Sequence, residues 1–524
     1  MSSMGEPQWT RREERRGLDP LGMQSTSVSQ YQRLVPGISN VTLRMRYYGL
    51  YAWLTDYYAK HSGDPSVAGW QKFLRRSEAL YALLTQAKTQ DTGVAGSRWA
   101  RRKLAATSGA WISFSIHADN ESSEPQYLKQ AFGAYGAAYG TQLFATGILC
   151  SVEHHDVPVP TPEIGDGLAA AFSAAIGGAG ECFLKAVERG SVSRSELEEL
   201  AVMVPSAIEP ESLERNMYEA ILFARAPDSS PSDLARSMSL RLVLRATDWL
   251  GYMPAASDIR WALYALRDSD GAEIESLSDE EMAQRFTWLA YHVNDLCHAC
   301  YEALLKYVLD VLEGFPGGVA LDKLLQVVVA RIVRALGTEM QTFAHLYDDI
   351  ALPENPWTEE KGDSEFNLIN EVLQGANLSS ATNAEGAVAA LRLLAVLFKR
   401  ITPELPALDA ELKLVGESPF VQSICTELRF LQTHRDEPLP QLLHSLLKVR
   451  VIDRHLWVAI QKLRYQGDYT FLLETDNGRV RLRSKDGPVL TNPRLASSIR
   501  FLDDIHLLGP DGLTDLGRRA LESV

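Results

Sequence analysis

Three observations predict a mainly α-helical protein, a multi-helix body with a small α+β module near its C-terminal end. Apolar residues recur at helical spacing in one stretch after another, and alternating β patterns are almost missing from the middle of the chain. Beyond residue 466 the pattern changes: two runs of strand-forming residues flank Asp476-Asn477-Gly478. The chain has 524 residues, 46% apolar and 23% charged, which at roughly 100–200 residues per domain allows two to four packed cores. That composition excludes global disorder, a collagen repeat and a disulfide scaffold.

In order along the chain, residues 1–25 lack apolar periodicity and read as a mobile arm. Pro36-Gly37 makes a turn, and from Arg44 to Lys60 Tyr47, Tyr51, Leu54 and Tyr58 recur at helical spacing, broadened by Tyr48, Trp53 and Tyr57. A second helix is expected over 66–88, burying Trp70, Phe73, Leu74, Leu80, Leu83 and Leu84. No charged residue occurs between Lys129 and Glu153. Its four glycines, with Gln130, Thr141, Gln142 and Thr146, make it a poor membrane span. The expectation is a buried helix packed on the Ala/Gly-rich stretch 167–180, with no membrane contact.

The Pro-rich loop 156–164, the loop 226–232, the acidic run 268–281 and the segments 350–365 and 402–408 separate amphipathic runs at 196–204, 212–225, 234–250, 282–313, 319–347 and 385–401. No fixed repeat is found. The expected domains are an arm (1–25), a basic, aromatic-rich helical domain (26–155), an acidic helical body (156–405) and a helical segment leading to the α+β module (406–524). In that last part, helices at 440–449 and 453–466 precede the hairpin. Asn492-Pro493 is expected to cap a helix to about Ile505, and Thr514 to open the final one.

Charge is unevenly distributed. The net value is −15, yet residues 1–110 carry 16 basic against 8 acidic residues and residues 440–524 carry 13 against 10, leaving 23 against 49 for the middle. Two basic ends on an acidic body can hold an anion at one face while the body stays soluble. On the strand 479–484, Arg479, Arg481 and Arg483 alternate with Val480 and Leu482, so a period of two places three guanidinium groups on one face. Lys485 and Arg494 are close in sequence. With the flanking helices and the closing Leu508-Gly-Pro-Asp-Gly-Leu-Thr-Asp-Leu-Gly-Arg-Arg-Ala-Leu521, this region resembles a winged-helix module, although two helices follow the hairpin. The resemblance implies phosphate contacts by the arginines on DNA or, equally within that fold, docking to protein. A plain solvated strand face would also carry charges.

The segment Tyr31-Gln-Arg-Leu-Val-Pro-Gly-Ile-Ser-Asn-Val-Thr-Leu-Arg-Met-Arg-Tyr-Tyr-Gly-Leu-Tyr-Ala-Trp-Leu54, with Trp288-Leu-Ala-Tyr-His292 and Ala299-Cys-Tyr-Glu-Ala-Leu304, resembles a group of uncharacterised bacterial proteins associated with mobile-element and anti-phage defence loci. That resemblance implies a place in a multi-gene defence system and brings no catalytic residues. Arg44 and Arg46 beside an aromatic helix also combine cations with stacking faces, as single-strand binders do, although such a stripe equally suits a core.

Two His-x-x-Asp pairs, His292/Asp295 and His345/Asp348, each place a ligand pair on one helical face and form a candidate metal-dependent hydrolase site. Cys297-His298-Ala299-Cys300 lacks the second pair a structural zinc needs, and Glu153-His154-His155-Asp156 reads as a polar loop. Phosphate-binding, dinucleotide, nucleophile-elbow and His-Glu-x-x-His motifs are absent from the sequence. Five scattered cysteines and no basic-then-apolar leader lead to an expected cytoplasmic location. The expectation is therefore a non-catalytic nucleic-acid-binding or docking subunit of a bacterial multiprotein system, without a cofactor, whose partners are DNA or proteins. A metal-dependent hydrolase and a structural scaffold are the alternatives.

Overall fold

The computed structural model describes residues 19–522 except 90, 120–124, 227–228, 275–276, 338–340, 360–361 and 414–421, and the side chain of residue 32. Most of the expected N-terminal arm thus lies outside the described residues. The protein is mainly helical, with 64% helix and 6% strand. Among the described residues the strands form four two-stranded antiparallel pairs.

The chain forms two compact units. One comprises Met1–Ser29, Ser269–Gly271 and Ala290–Thr491; the other comprises Gln30–Asp268, Ala272–Leu289 and Asn492–Val524. The sequence places boundaries at 155/156 and 405/406, where proline and composition change. The units exchange at 289/290, inside the Asp279–Glu313 helix, at 29/30, inside the Gln24–Leu34 helix, at 491/492, and around Ser269–Gly271. An uninterrupted helical pattern offers no signal for the first of these.

The unit beginning at Gln30 is built on the aromatic helix Arg46–His61 and on Val67–Lys88. Ser66 caps the second, its hydroxyl accepting from the Gly69 N–H at 3.0 Å. Tyr47 stacks on Tyr51 and Tyr139 and meets Tyr81 edge-on, all four fully enclosed. Beside them Glu78 accepts from the Tyr51 and Tyr127 hydroxyls at 2.9 and 2.6 Å and from the backbone N–H groups of Ala134 and Tyr135 at 2.7 and 2.9 Å. Four donors satisfy a carboxylate that burial would otherwise make very costly.

The uncharged stretch 129–153 does not form the expected long helix. It breaks into turns, a π-helical turn Tyr135–Tyr139, the short helix Gly140–Ala145 and the strand Leu149–Cys150 paired with Val159–Pro160. Gly133 and Gly147 adopt positive φ, as glycine permits at little cost. The Gly165–Ile176 helix packs on the aromatic helix and on Leu213–Leu222. The close approach occurs at Gly49, where a Cβ would stand 2.2 Å from the Tyr218 hydroxyl. Among the described residues no single helix is long and apolar enough to cross a membrane; Gly165–Ile176 and Ala179–Arg189 together are, but they bend by 98°.

In the other unit, Ala290–Leu305 of the Asp279–Glu313 helix is buried on every side, the mark of a central helix. The antiparallel helices Glu365–Asn377 and Glu385–Ile401 meet at Gly375 and Gly386, where either added Cβ would lie within 2.7 Å of the facing backbone. Leu439–Ser445 runs through a π-helical segment into Asp453–Gln466, and the hairpin Leu473–Asp476/Arg479–Leu482 follows. Asn477 and Gly478 take positive φ (51° and 73°), as the Asn-Gly turn requires. Val319 and Val480 exchange backbone hydrogen bonds of 3.0 and 2.7 Å, which fixes the second strand on its far edge.

The region resembling a winged helix is therefore divided. The hairpin and the 453–466 helix belong to this unit, whereas Leu495–Asp504 and Asp515–Glu522 belong to the other. The first of those later helices also starts after Pro493. The Asn492 side chain accepts from the Arg494 N–H at 3.1 Å, and Arg494 at φ 67° is the cap. The closing helix begins as the sequence predicts, with the Thr514 hydroxyl accepting from the Gly517 N–H.

Candidate functional site

Strand alternation carries Arg479, Arg481 and Arg483 to the exposed side of the hairpin and buries Val480. The opposite strand brings acids to two of them. Arg481 pairs with Asp476 at 3.2 Å, and Arg483 with Glu474. Lys485 donates to Asp310 at 3.0 Å and Glu313 at 2.8 Å. Partial burial works against its charge, and these two acids outweigh that effect and raise its pKa.

The other expected anion contacts lie elsewhere and are differently placed. Arg494 is half-buried, its guanidinium 5.3 Å from the Tyr31 ring centre and 3.3 Å from the Val35 carbonyl, and desolvation lowers its pKa. Arg44 is 3% exposed and clasps Asp504 at 2.9 and 3.0 Å. Burial pushes the Asp504 pKa up, against the pull of Arg44. Arg46 is fully enclosed: it makes a bidentate pair with Glu214 at 2.9 and 3.0 Å and donates to the Val202 and Val204 carbonyls at 2.7 Å each. Arg44 and Arg46 thus have internal partners and no outward face, which corrects their reading as cations beside a stacking platform. Internal carboxylates far away in sequence claim them.

Only the C-terminal turns of the aromatic helix reach open space. There a cleft of about 840 Å³ is lined by Trp53, Tyr57, Tyr58, His61 and Phe73, with the Gly177 bend opposite. The Tyr57 and His61 rings stack at 4.6 Å. Lys72, Arg76 and Lys185 at this cleft are matched by Asp64, Glu181 and Glu188, so its charge is near balance.

The four candidate metal ligands do not converge. His292 and Asp295 are buried on the central helix, while His345 and Asp348 are exposed on the short helix Phe343–Asp349. Asp295 accepts from the Thr491 hydroxyl at 2.8 Å and from its N–H at 3.1 Å. Cys297 and Cys300 are fully buried free thiols whose pKa burial pushes up, and residues 153–156 form an exposed loop.

No family model, curated protein or solved structure matches this chain. The residues that sequence reasoning missed are on the outer face of Asp453–Gln466 and just beyond it. Ile460 is 51% exposed, Leu463 44%, Tyr465 74% and Tyr469 47%. The Arg464 guanidinium lies over the Tyr465 ring at 5.6 Å. Two apolar faces on one helix were the available signal: Val458 and Ala459 point inward, while Ile460 and Leu463 are left over. The helix is joined to the hairpin by His455, whose Nε2 accepts from the Leu472 N–H at 2.9 Å while its Nδ1 donates to the Pro20 carbonyl at 3.0 Å. Both contacts suit a neutral ring, and desolvation lowers its pKa to about 4.

Proposed function

We propose that the protein is a non-catalytic docking subunit that binds a protein partner through the hairpin and the outer face of the Asp453–Gln466 helix. The supporting observation is the run of exposed Ile460, Leu463, Tyr465 and Tyr469 leading into exposed Arg479, Arg481 and Arg483. Tyrosine and arginine together with exposed apolar residues are the composition of interface hot spots. The fitting partner surface is apolar and rimmed with carboxylates, which can take over the guanidinium groups now shared with Glu474 and Asp476.

Nucleic acid is the second reading, favoured by the three guanidinium groups on one strand face. Against it, the exposed Ile460 and Leu463 of the Asp453–Gln466 helix have no counterpart in a phosphate backbone.

The test uses two variants of the full chain, Arg479→Ala/Arg481→Ala/Arg483→Ala and Ile460→Asp/Leu463→Asp. The partner is identified by crosslinking in the native host and then titrated as purified protein. Docking predicts that both variants bind it at least about tenfold more weakly with circular dichroism unchanged. DNA anisotropy that falls with salt on a log–log line, weakened only in the arginine variant, would replace docking by nucleic-acid binding.

A further inference from the structure

We infer that Asp19, His298 and Glu302 hold a divalent first-row transition-metal ion. It would join the segment ahead of the Gln24–Leu34 helix to the central helix, a role beyond the docking function. Each of the three residues brings one donor atom within 4.8 Å of the other two; among the described residues they are the group of His, Cys, Asp and Glu side chains that converges in this way. His298 and Glu302 are four residues apart and so share one helical face, 0% and 2% exposed, and the chain brings Asp19 to them.

The second observation is the histidine itself. Nε2 of His298 lies 2.8 Å from Oε1 of Glu302, yet neither ring nitrogen has a hydrogen-bond partner in acceptable geometry, although both are fully buried. A carboxylate oxygen that close but off the N–H direction is poorly placed for a hydrogen bond. It is well placed as a neighbouring ligand: two donors about 2.1 Å from one ion and at a right angle are about 3.0 Å apart.

The surroundings match a ligand shell. The other ring nitrogen, Nδ1, is 3.5 Å from Oδ1 of Asp295, and Asp295 is fixed by Thr491. A carboxylate behind the non-ligating nitrogen is the arrangement that orients metal-bound histidines. Glu302 Oε2 accepts from the Val489 N–H at 3.2 Å, and its Oε1 meets the Gln24 amide at 3.4 Å. Asp19 accepts from the Gln24 and Ser25 N–H groups at 3.2 Å each. Lys462 donates to the Asp19 carbonyl at 2.9 Å. One imidazole with two carboxylates selects zinc, manganese or iron(II) over calcium and magnesium, which take oxygen donors. Asp295, a candidate ligand in the sequence, becomes the orienting residue, and His298 replaces His292.

The test is made on the full chain stripped with a strong chelator. Zinc and manganese are added singly and measured after desalting, and cobalt(II) is added to read its visible absorption. About one equivalent should be retained, with cobalt bands, and retention should fall at least tenfold in Asp19→Asn and Glu302→Gln while His345→Ala retains the metal. Chelator should lower the wild-type melting temperature and leave that of the two variants unchanged. Absence of retained metal and of cobalt bands in the wild type, or full retention in both variants, would overturn the site. If Glu302→Gln does not fold, Asp19→Asn, altered on the partly exposed loop, decides alone. None of these readouts involves the partner, so this result stands apart from the docking test.

Discussion

The arginines that open the aromatic helix and those of the hairpin look alike in sequence, since both sets alternate with apolar residues, Arg44-Met45-Arg46 in one and Arg479-Val480-Arg481-Leu482-Arg483 in the other. Arg46 is sealed against Glu214 and two carbonyls. Arg481 lies on an open strand face and pairs with Asp476, itself about half exposed. Burial of the partner acid decides between the two roles. A guanidinium paired inside the core cannot leave without stranding a charge, whereas one paired at the surface exchanges a partner at small cost.

The contrast breaks most visibly at Arg46. Arg46→Ala should lose about 3–5 kcal/mol of unfolding free energy, because the fully buried Glu214 is left uncompensated; urea unfolding measures it. Arg46→Lys should recover little, since lysine cannot reproduce the bidentate pair. A loss below about 1 kcal/mol would place Arg46 with the surface arginines.

The second effect is on pH dependence. His455 has a folded-state pKa of about 4 against 6.5 for the free group, so the unfolded chain binds the proton more readily. Its stabilising contribution is full above pH 6.5 and is lost as pH falls from there toward 4. Between pH 7 and pH 5 that amounts to about 2 kcal/mol. His455→Gln should flatten this part of the stability curve; an unchanged slope would show that the ring is not held neutral between Pro20 and Leu472.

Smaller still is the direct contribution of the hairpin charges. Arg479→Ala/Arg481→Ala/Arg483→Ala should change stability by less than about 1 kcal/mol. A double-mutant cycle between Arg481 and Asp476 should give a coupling of about 0.5 kcal/mol that shrinks with added salt. A coupling several times larger would mean that the hairpin is a structural clasp instead of a docking surface.

Local chemistry was readable in the sequence where a few adjacent residues decide the outcome. The Asn477-Gly478 turn, the alternation along 479–483, the Thr514 cap and the helical period of 44–60 all follow from the residues themselves. What could not be read depends on distant partners. Glu214 and Asp504 take Arg46 and Arg44 from 168 and 460 residues away, and nothing near either arginine announces them. The stretch 129–153 misled because lack of charge fixes neither burial nor a single helix: Phe144 is 40% exposed, and Gly133 and Gly147 serve turns. The exchange between units inside an unbroken helix left no mark in composition. The candidate metal ligands show the same limit. The spacing of His298 and Glu302 was visible, but Asp19 comes from a segment 279 residues before His298.

The most direct test of the central contrast is arginine-selective dicarbonyl labelling of the full chain, mapped by mass spectrometry, alone and in its native complex. Arg479, Arg481 and Arg483 should label rapidly in the free protein and be protected in the complex, and Arg44 and Arg46 should be protected in both. Hairpin arginines labelled equally with and without partner, or Arg46 labelled in the folded chain, would contradict that contrast.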